Sequence, residues 1–471
     1  MKKQLIPLFV LTSLMAVSCT TTGIVNSSVG NPDPSAGSNN PNPSNSSDKS
    51  SEYSSLFNQN NDHAKLIKAV PQPARVDYSD LMSEGFQSFL SNFNNFNSSF
   101  TEDYLKDYFD GSRNDTISPL SIYFAMAQAG ATTAGDTQKE IFNALNVSYE
   151  DAIKYSPILY KAANKARSEG KETVAIEEVN NSIWLEKSYN FKQSGVDTLV
   201  DSFFCEPYAA NFSQKPREVS KIMSDYISDK TRGLIKPDLD FDDLVRMVIV
   251  NTLYMKDQWL DSGDDLKPED TARDFTNYDG SKTKKNLLLG SYNEGRKYVS
   301  EDFTSFKITT NNFFTIRFMI PNEGKKLDDI FTQKNILEMH NVNYGAGDNK
   351  NYRTRCIFPE FTASAVEDLD LVDLFKKRGV SKFFTPGADF SNIVEDGQEE
   401  LYCSDIKHLT KLIVDKKGVE GAAVTIIAEK ATSVGPIDEP IYVDFIIDKA
   451  FGFEISDYHG IPLFTGVVNK I

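Results

Sequence analysis

Histidine, cysteine and tryptophan are scarce in this chain, with four, four and two copies among 471 residues. His63, His340, His408 and His459 stand alone, and no spacing of His, Cys, Asp or Glu resembles a metal-ligand set. HExxH, GxSxG and P-loop strings are absent, and "GAG" at 345–347 lacks the third glycine of a dinucleotide loop. No catalytic residue, metal or cofactor is implied, and the chain does not read as an enzyme. Positive charge is also short: 50 Lys+Arg face 67 Asp+Glu, for a net charge of -17. A phosphate backbone needs a basic surface, so nucleic acid is not an expected partner. The apolar run "MVIVNTLYMKDQW" (247–259) is too short to span a bilayer and reads as a strand buried on both faces.

What is present begins at the N-terminus. Lys2 and Lys3 precede an apolar stretch from Leu5 to Val17, then Ala16, Ser18 and Cys19. That is the layout of a secretory signal, residues 1–18. Cys19 resembles the lipid-modified cysteine of the bacterial lipobox, although Ala16 stands where that box usually has Leu; an ordinary signal peptide is the alternative. Residues 19–75 open with a long Thr/Ser/Asn/Gly/Pro-rich stretch that cannot bury enough apolar surface to order itself. They read as a tether. The chain is therefore expected to be secreted and lipid-anchored through Cys19 to a bacterial envelope, at the outer membrane or cell surface. Cys205, Cys356 and Cys403 lie far apart and read as small buried hydrophobes.

From residue 76 onward the composition is that of one large domain, with 32 Phe and 20 Tyr in the chain. Leu81, Met82, Phe86, Phe89, Leu90 and Phe93 mark one face of a helix. Residues 114–145 read as a short strand and two helices. Helices are also expected over 218–235, ending at Gly233, and over 366–379. Strands are expected at 179–188 and 247–259, and then in "FTIRFMIP", "RTRCIFPEF", "EPIYVDFIID", "AFGFEISD" and "IPLFTGVVN". Helices dominate the first half and strands the second, without βαβ alternation, which indicates an α+β fold with large, mainly antiparallel sheets.

Six strings then occur in one order. Asn114, Ser118, Pro119 and Ser121 form the first, and Val250, Asn251, Tyr254, Lys256 and Trp259 the second. "FPEF" (358–361), "GADFSNI" (387–393), "SDIKH" (404–408) and "FTGVVN" (464–469) complete the series. Together they resemble the serpin family over residues 76–471. The resemblance implies the serpin fold with an exposed reactive loop, and a monomer. It implies no cofactor and no catalytic residue. It implies inhibition by suicide: a target serine or cysteine endopeptidase cleaves the loop, stays attached as an acyl-enzyme, and is trapped as the loop inserts into the main sheet. A non-inhibitory serpin-fold binding or structural protein is the alternative.

The same resemblance assigns residues. Lys416, Gly418, Val419, Glu420, Gly421, Ala422, Ala423, Val424 and Thr425 match the family's hinge. Alternation puts Val419, Gly421, Ala423, Thr425 and Ile427 on one face, all uncharged, as burial within a sheet requires. Family spacing puts the scissile bond at Thr432–Ser433, with Lys430–Ala431 as the alternative. Ser118, Ser121, Asn251 and His408 match the polar cluster where the sheet opens. Glu360 and Lys416 reverse the charges usual at their two positions, and an ion pair between them is expected.

Overall fold

The computed structural model describes residues 6–12 and 63–471, apart from 170–171, 260–265, 293–296, 313, 345–351, 366–368, 396–400 and 421–440. The fold is α+β, with helices packed on mainly antiparallel sheets.

The first long helix, α1 (Glu84–Tyr108), begins where the Ser83 side chain accepts the Phe86 N–H. Phe86, Phe89, Leu90, Phe93, Phe96 and Phe100 are buried on its inner face. Met82, expected on that face, is exposed because the Ser83 cap starts the helix after it. In α2 (Pro119–Thr132) the fixed φ of Pro119 suits the first turn, and every residue is buried. α3 (Pro216–Lys230) presents Val219, Met223, Tyr226 and Ile227 to the sheet it crosses.

Among the described residues the main sheet has ten strands. Nine matter here: β1 (Ile6–Thr12), β2 (Ala64–Leu66), β3 (Glu172–Glu186), β4 (Cys205–Ala210), β5 (Met247–Gln258), β6 (Phe361–Ser364), β7 (Leu401–His408), β8 (Lys411–Val414) and β9 (Gly418–Glu420). Across the upper part their order is β6–β8–β9–β5–β3–β4–β2. Alternation along β5 gives the sheet two faces. Met247, Ile249, Leu253 and Met255 point into the large core that includes α2. Val248 and Val250 join Trp184 and Tyr208 under α3.

Among the described residues a second sheet of six strands includes Thr315–Pro321, Phe451–Ser456 and Pro462–Val468, and a third of four includes Tyr352–Phe358 and Ile441–Ile446. Two expectations change. Of the helix expected over 366–379, residues 366–368 lie outside the described residues, and among the rest it covers Val372–Lys377. Leu369–Leu371 instead run beside β7, where the His408 N–H donates to Leu369 O and the Leu371 N–H to Ile406 O. Asp370 caps the shortened helix by accepting the Val372 N–H. The second change concerns 63–75, assigned to the tether. There β2 adds an antiparallel strand to β4, and Lys68 pairs with Asp197 at 2.7 Å. Cys205, Cys356 and Cys403 are buried free thiols.

Candidate functional site

Among the described residues, β5 and β7 form no ladder with each other, although both run through the centre of the main sheet. Two segments lie between them. In the lower half β1 is parallel to both, with Thr12 level with Asn251 on one side and His408 on the other. In the upper half β9 is antiparallel to β5 and β8, with Gly418 opposite Gln258 and Glu420 opposite Lys256. This central seam is the candidate site.

The top of the seam is a tight turn built on Asp415. Its carboxylate accepts the Lys417 N–H at 2.8 Å and the Gly418 N–H at 3.2 Å. Trp259 Nε1 donates to Asp415 O at 2.7 Å and fixes the turn to the end of β5. Glycine is required at 418, since a Cβ there would lie 2.0 Å from Asp257 O. Val419 then points into the core, fully buried, and Glu420 points to the outer face. There Glu420 Oε1 accepts Tyr254 Oη–H at 3.0 Å and pairs with Lys256 Nζ at 3.4 Å. Burial and the Glu420 carboxylate push the Tyr254 phenol above its ordinary pKa. Glu360 does reach the loop base, and the contact runs to the backbone: Oε1 accepts the Lys416 N–H at 3.1 Å. What the backbone donor needs at 360 is an acceptor oxygen, whatever the side chain of residue 416 carries.

Lower in the seam the polar residues separate into two groups. Ser118 Oγ donates to Ser121 Oγ at 3.0 Å, and the Ser118 N–H donates to His408 Nε2 at 3.1 Å. That bond makes Nε2 an acceptor and the imidazole neutral. Complete burial holds the ring in that state, lowering its pKa to about 3. Asn251 belongs to the other group. Its Nδ2 donates to Asn181 Oδ1 at 2.7 Å, and Gln128 Nε2 from α2 donates to the same oxygen at 3.0 Å. Asn181 in turn donates to Phe203 O at 2.7 Å. One group lies on the β7 side of the seam and the other on the β5 side.

The profile of the serpin family, described as serine protease inhibitor, matches residues 95–471. The chain belongs to the serpin family. Serpin A3-8 of Bos taurus is 26% identical over 335 residues, covering 69% of this chain and 76% of the bovine protein. Serpin-Z2B of Triticum aestivum is 26% identical over 379 residues, covering 76% and 90% of the two chains. Among solved structures, the thermophilic serpin tengpin in its native state superposes with a TM-score of 0.66 at 21% identity, covering 87% of this chain and 100% of its own.

Of the residues expected to form the hinge of this serpin, Lys416, Gly418, Val419 and Glu420 are described. Gly421–Thr425, Lys430, Ala431, Thr432, Ser433 and Cys19 lie outside the described residues. Asn181 and Gln128 escaped sequence reasoning. Each carried a signal: an amide inside an otherwise apolar strand or helix, which burial makes costly unless it is bonded. Among the described residues no cluster of His, Cys, Asp or Glu could hold a metal ion, and no helix is long and apolar enough to cross a membrane.

Proposed function

We propose that this serpin is a suicide-substrate inhibitor of serine or cysteine endopeptidases, held to a bacterial envelope by a lipid on Cys19. The observation that carries the reading is the register of β9. Residues 418–420 already pair with β5 and β8 as a central strand would. Continued downward in that register, Gly421–Thr425 would lie opposite Met255–Asn251, and Ile426–Glu429 opposite Val250–Met247. The latter stretch is the part of the seam along which β1 lies. Signal cleavage before Cys19 would remove β1 from the mature chain and leave that stretch to the loop. The inserting face would be Val419, Gly421, Ala423, Thr425 and Ile427, with no charge to desolvate. No proline occurs between Gly418 and Pro436 to interrupt the new ladder.

The chemistry is that of an interrupted proteolysis. The protease nucleophile attacks the Thr432 carbonyl carbon, the bond to the Ser433 nitrogen breaks, and the Ser433 amine leaves with the nucleophile's proton. An ester, or a thioester for a cysteine enzyme, remains on Thr432. Strand insertion satisfies backbone groups along the seam and carries the acylated protease to the opposite end of the sheet before water can hydrolyse the bond. Cleavage at Lys430–Ala431 would instead select trypsin-like enzymes.

The test is incubation of mature protein with elastase-, trypsin- and papain-like proteases, followed by denaturing electrophoresis. The expected result is an SDS-stable complex and a released C-terminal peptide starting at Ser433. Complete loop cleavage with no complex would replace this reading by the non-inhibitory one. Metabolic labelling with palmitate, lost on Cys19→Ser, tests the anchor.

A further inference from the structure

We propose that Tyr254 and Lys256 form a fixed seat for the Glu420 carboxylate, and that Glu420 is the pivot about which the loop folds into the sheet. The inference rests on the inhibitor reading and names residues that position the loop for it. The seat lies on the outer face of β5. Glu420 stands opposite Lys256 and reaches diagonally to Tyr254, one pleat further down the insertion path. The Glu420 and Lys256 side chains are each 14% exposed, so the charge-assisted contact is shielded from most of the solvent.

Two features make this a pivot rather than an ordinary ion pair. First, β9 is already in strand register with both neighbours. Adding residues 421 onward extends that ladder without moving Glu420, so the contact persists before and after insertion. Second, the seat is tied to the chain leaving α3. The Arg232 guanidinium lies 5.0 Å from the centre of the Tyr254 ring and pairs with Glu178 on β3 at 2.9 Å. Arg232 and Gly233 have φ of 53° and +79°, so the chain reverses there through two successive left-handed residues. Outward-facing loop residues, beginning with Ala422 opposite Tyr254, would have to pass under α3. The pivot and the structure that must yield to the loop therefore share one tyrosine.

The test compares wild type with Glu420→Ala, Tyr254→Phe and the charge exchange Glu420→Lys with Lys256→Glu. Three quantities are read: kcat/KM for loop cleavage by a protease that is not trapped, the rate at which the nicked protein gains thermal stability, and the stoichiometry of inhibition. Glu420→Ala is expected to let the loop base leave its register, so that the insertion-ready state is less populated and the stability gain slows up to about tenfold, the shift that loss of one charge-assisted hydrogen bond gives. Stoichiometry should rise in step while cleavage kcat/KM stays unchanged, Tyr254→Phe should follow in the same direction, and the exchange should recover most of the rate. An unchanged or faster stability gain in Glu420→Ala, or no recovery by the exchange, overturns the pivot. If wild type traps no protease, the inhibitor reading falls, and the rate of stability gain still decides the pivot. If nicking gives wild type no added stability, both fall.

Discussion

In the six-stranded sheet, Phe451–Ser456 lies between Thr315–Pro321 and Pro462–Val468, paired on both sides, and every residue of Phe451–Ser456 and Pro462–Val468 is buried. In the main sheet, β5 is just as deeply buried, yet its upper neighbour is three residues of loop base. The handling of buried charge differs in the same way. Burial raises the Glu454 pKa in the closed sheet, but His340 at 2.8 Å, Arg317 at 3.2 Å and Asn97 outweigh it and hold the carboxyl below its usual range. At the seam His408 stays neutral: complete burial lowers its pKa to about 3, and its Nε2 accepts the Ser118 N–H. The closed sheet is stitched across every strand. The seam is joined through two short inserts, β1 paired with β5 and β7 below and the three residues of β9 paired with β5 and β8 above. One sheet is thus built from long strands in direct contact, while the centre of the other is closed by two short segments from distant parts of the chain.

The largest expected effect tests the closed sheet. Phe453→Ala should cost about 3–5 kcal/mol in guanidinium unfolding, by the same amount before and after loop cleavage. A cost confined to the uncleaved form would break the contrast. Two glycines sharpen it. A Cβ would meet backbone oxygen at 2.2 Å from Gly466 in the closed sheet and at 2.0 Å from Gly418 at the seam. Gly466→Ala has no exit and should lower global stability by about 1–3 kcal/mol. Gly418→Ala can escape by releasing the loop base, and should raise the rate of protease nicking in the loop while leaving the unfolding midpoint nearly unchanged.

Next comes pH. The folded pKa of His408 lies below its unfolded value of 6.5. Its contribution is fully present above pH 6.5 and declines as pH falls toward about 3, because only the unfolded chain takes up the proton. The slope approaches about 1.4 kcal/mol per pH unit. His408→Gln should flatten that part of the stability–pH curve; an unchanged slope in denaturant titrations from pH 6.5 to 4.5 would contradict it. The smallest effect is expected at Glu360. Glu360→Gln keeps an acceptor for the Lys416 N–H and should cost about 0–1 kcal/mol, with little dependence on salt.

Much of the closed sheet was legible in the sequence because its strands announce themselves by length, β-branched content and breakers, as at 451–456 and 462–468. The seam was legible only in part. The small, uncharged face beyond Gly418 is a local pattern and could be read. Which strands flank the seam, and where Asn251 finds its partner, depends on register between residues seventy apart in the chain, such as Asn181 and Asn251. The helix over 366–379 shortened for a similar reason: periodicity could not show that Leu369–Leu371 have backbone partners waiting on β7. Met82 followed the periodicity of its neighbours, but the Ser83 cap decided where the helix began.

The chain's two tryptophans, Trp184 and Trp259, happen to mark both sides of this arrangement. Trp259 is bonded to the turn at the head of the seam, and its ring lies edge-on to Phe358 at 5.3 Å. Trp184 is stacked on Tyr208 at 4.4 Å beneath α3, on the opposite face. The protein thus carries its own pair of optical reporters. With either one replaced by Phe, the emission of the other would register a single event, the turn loosening or the helix lifting. The order of the two signals in a stopped-flow trace would give the sequence of those steps without any added dye.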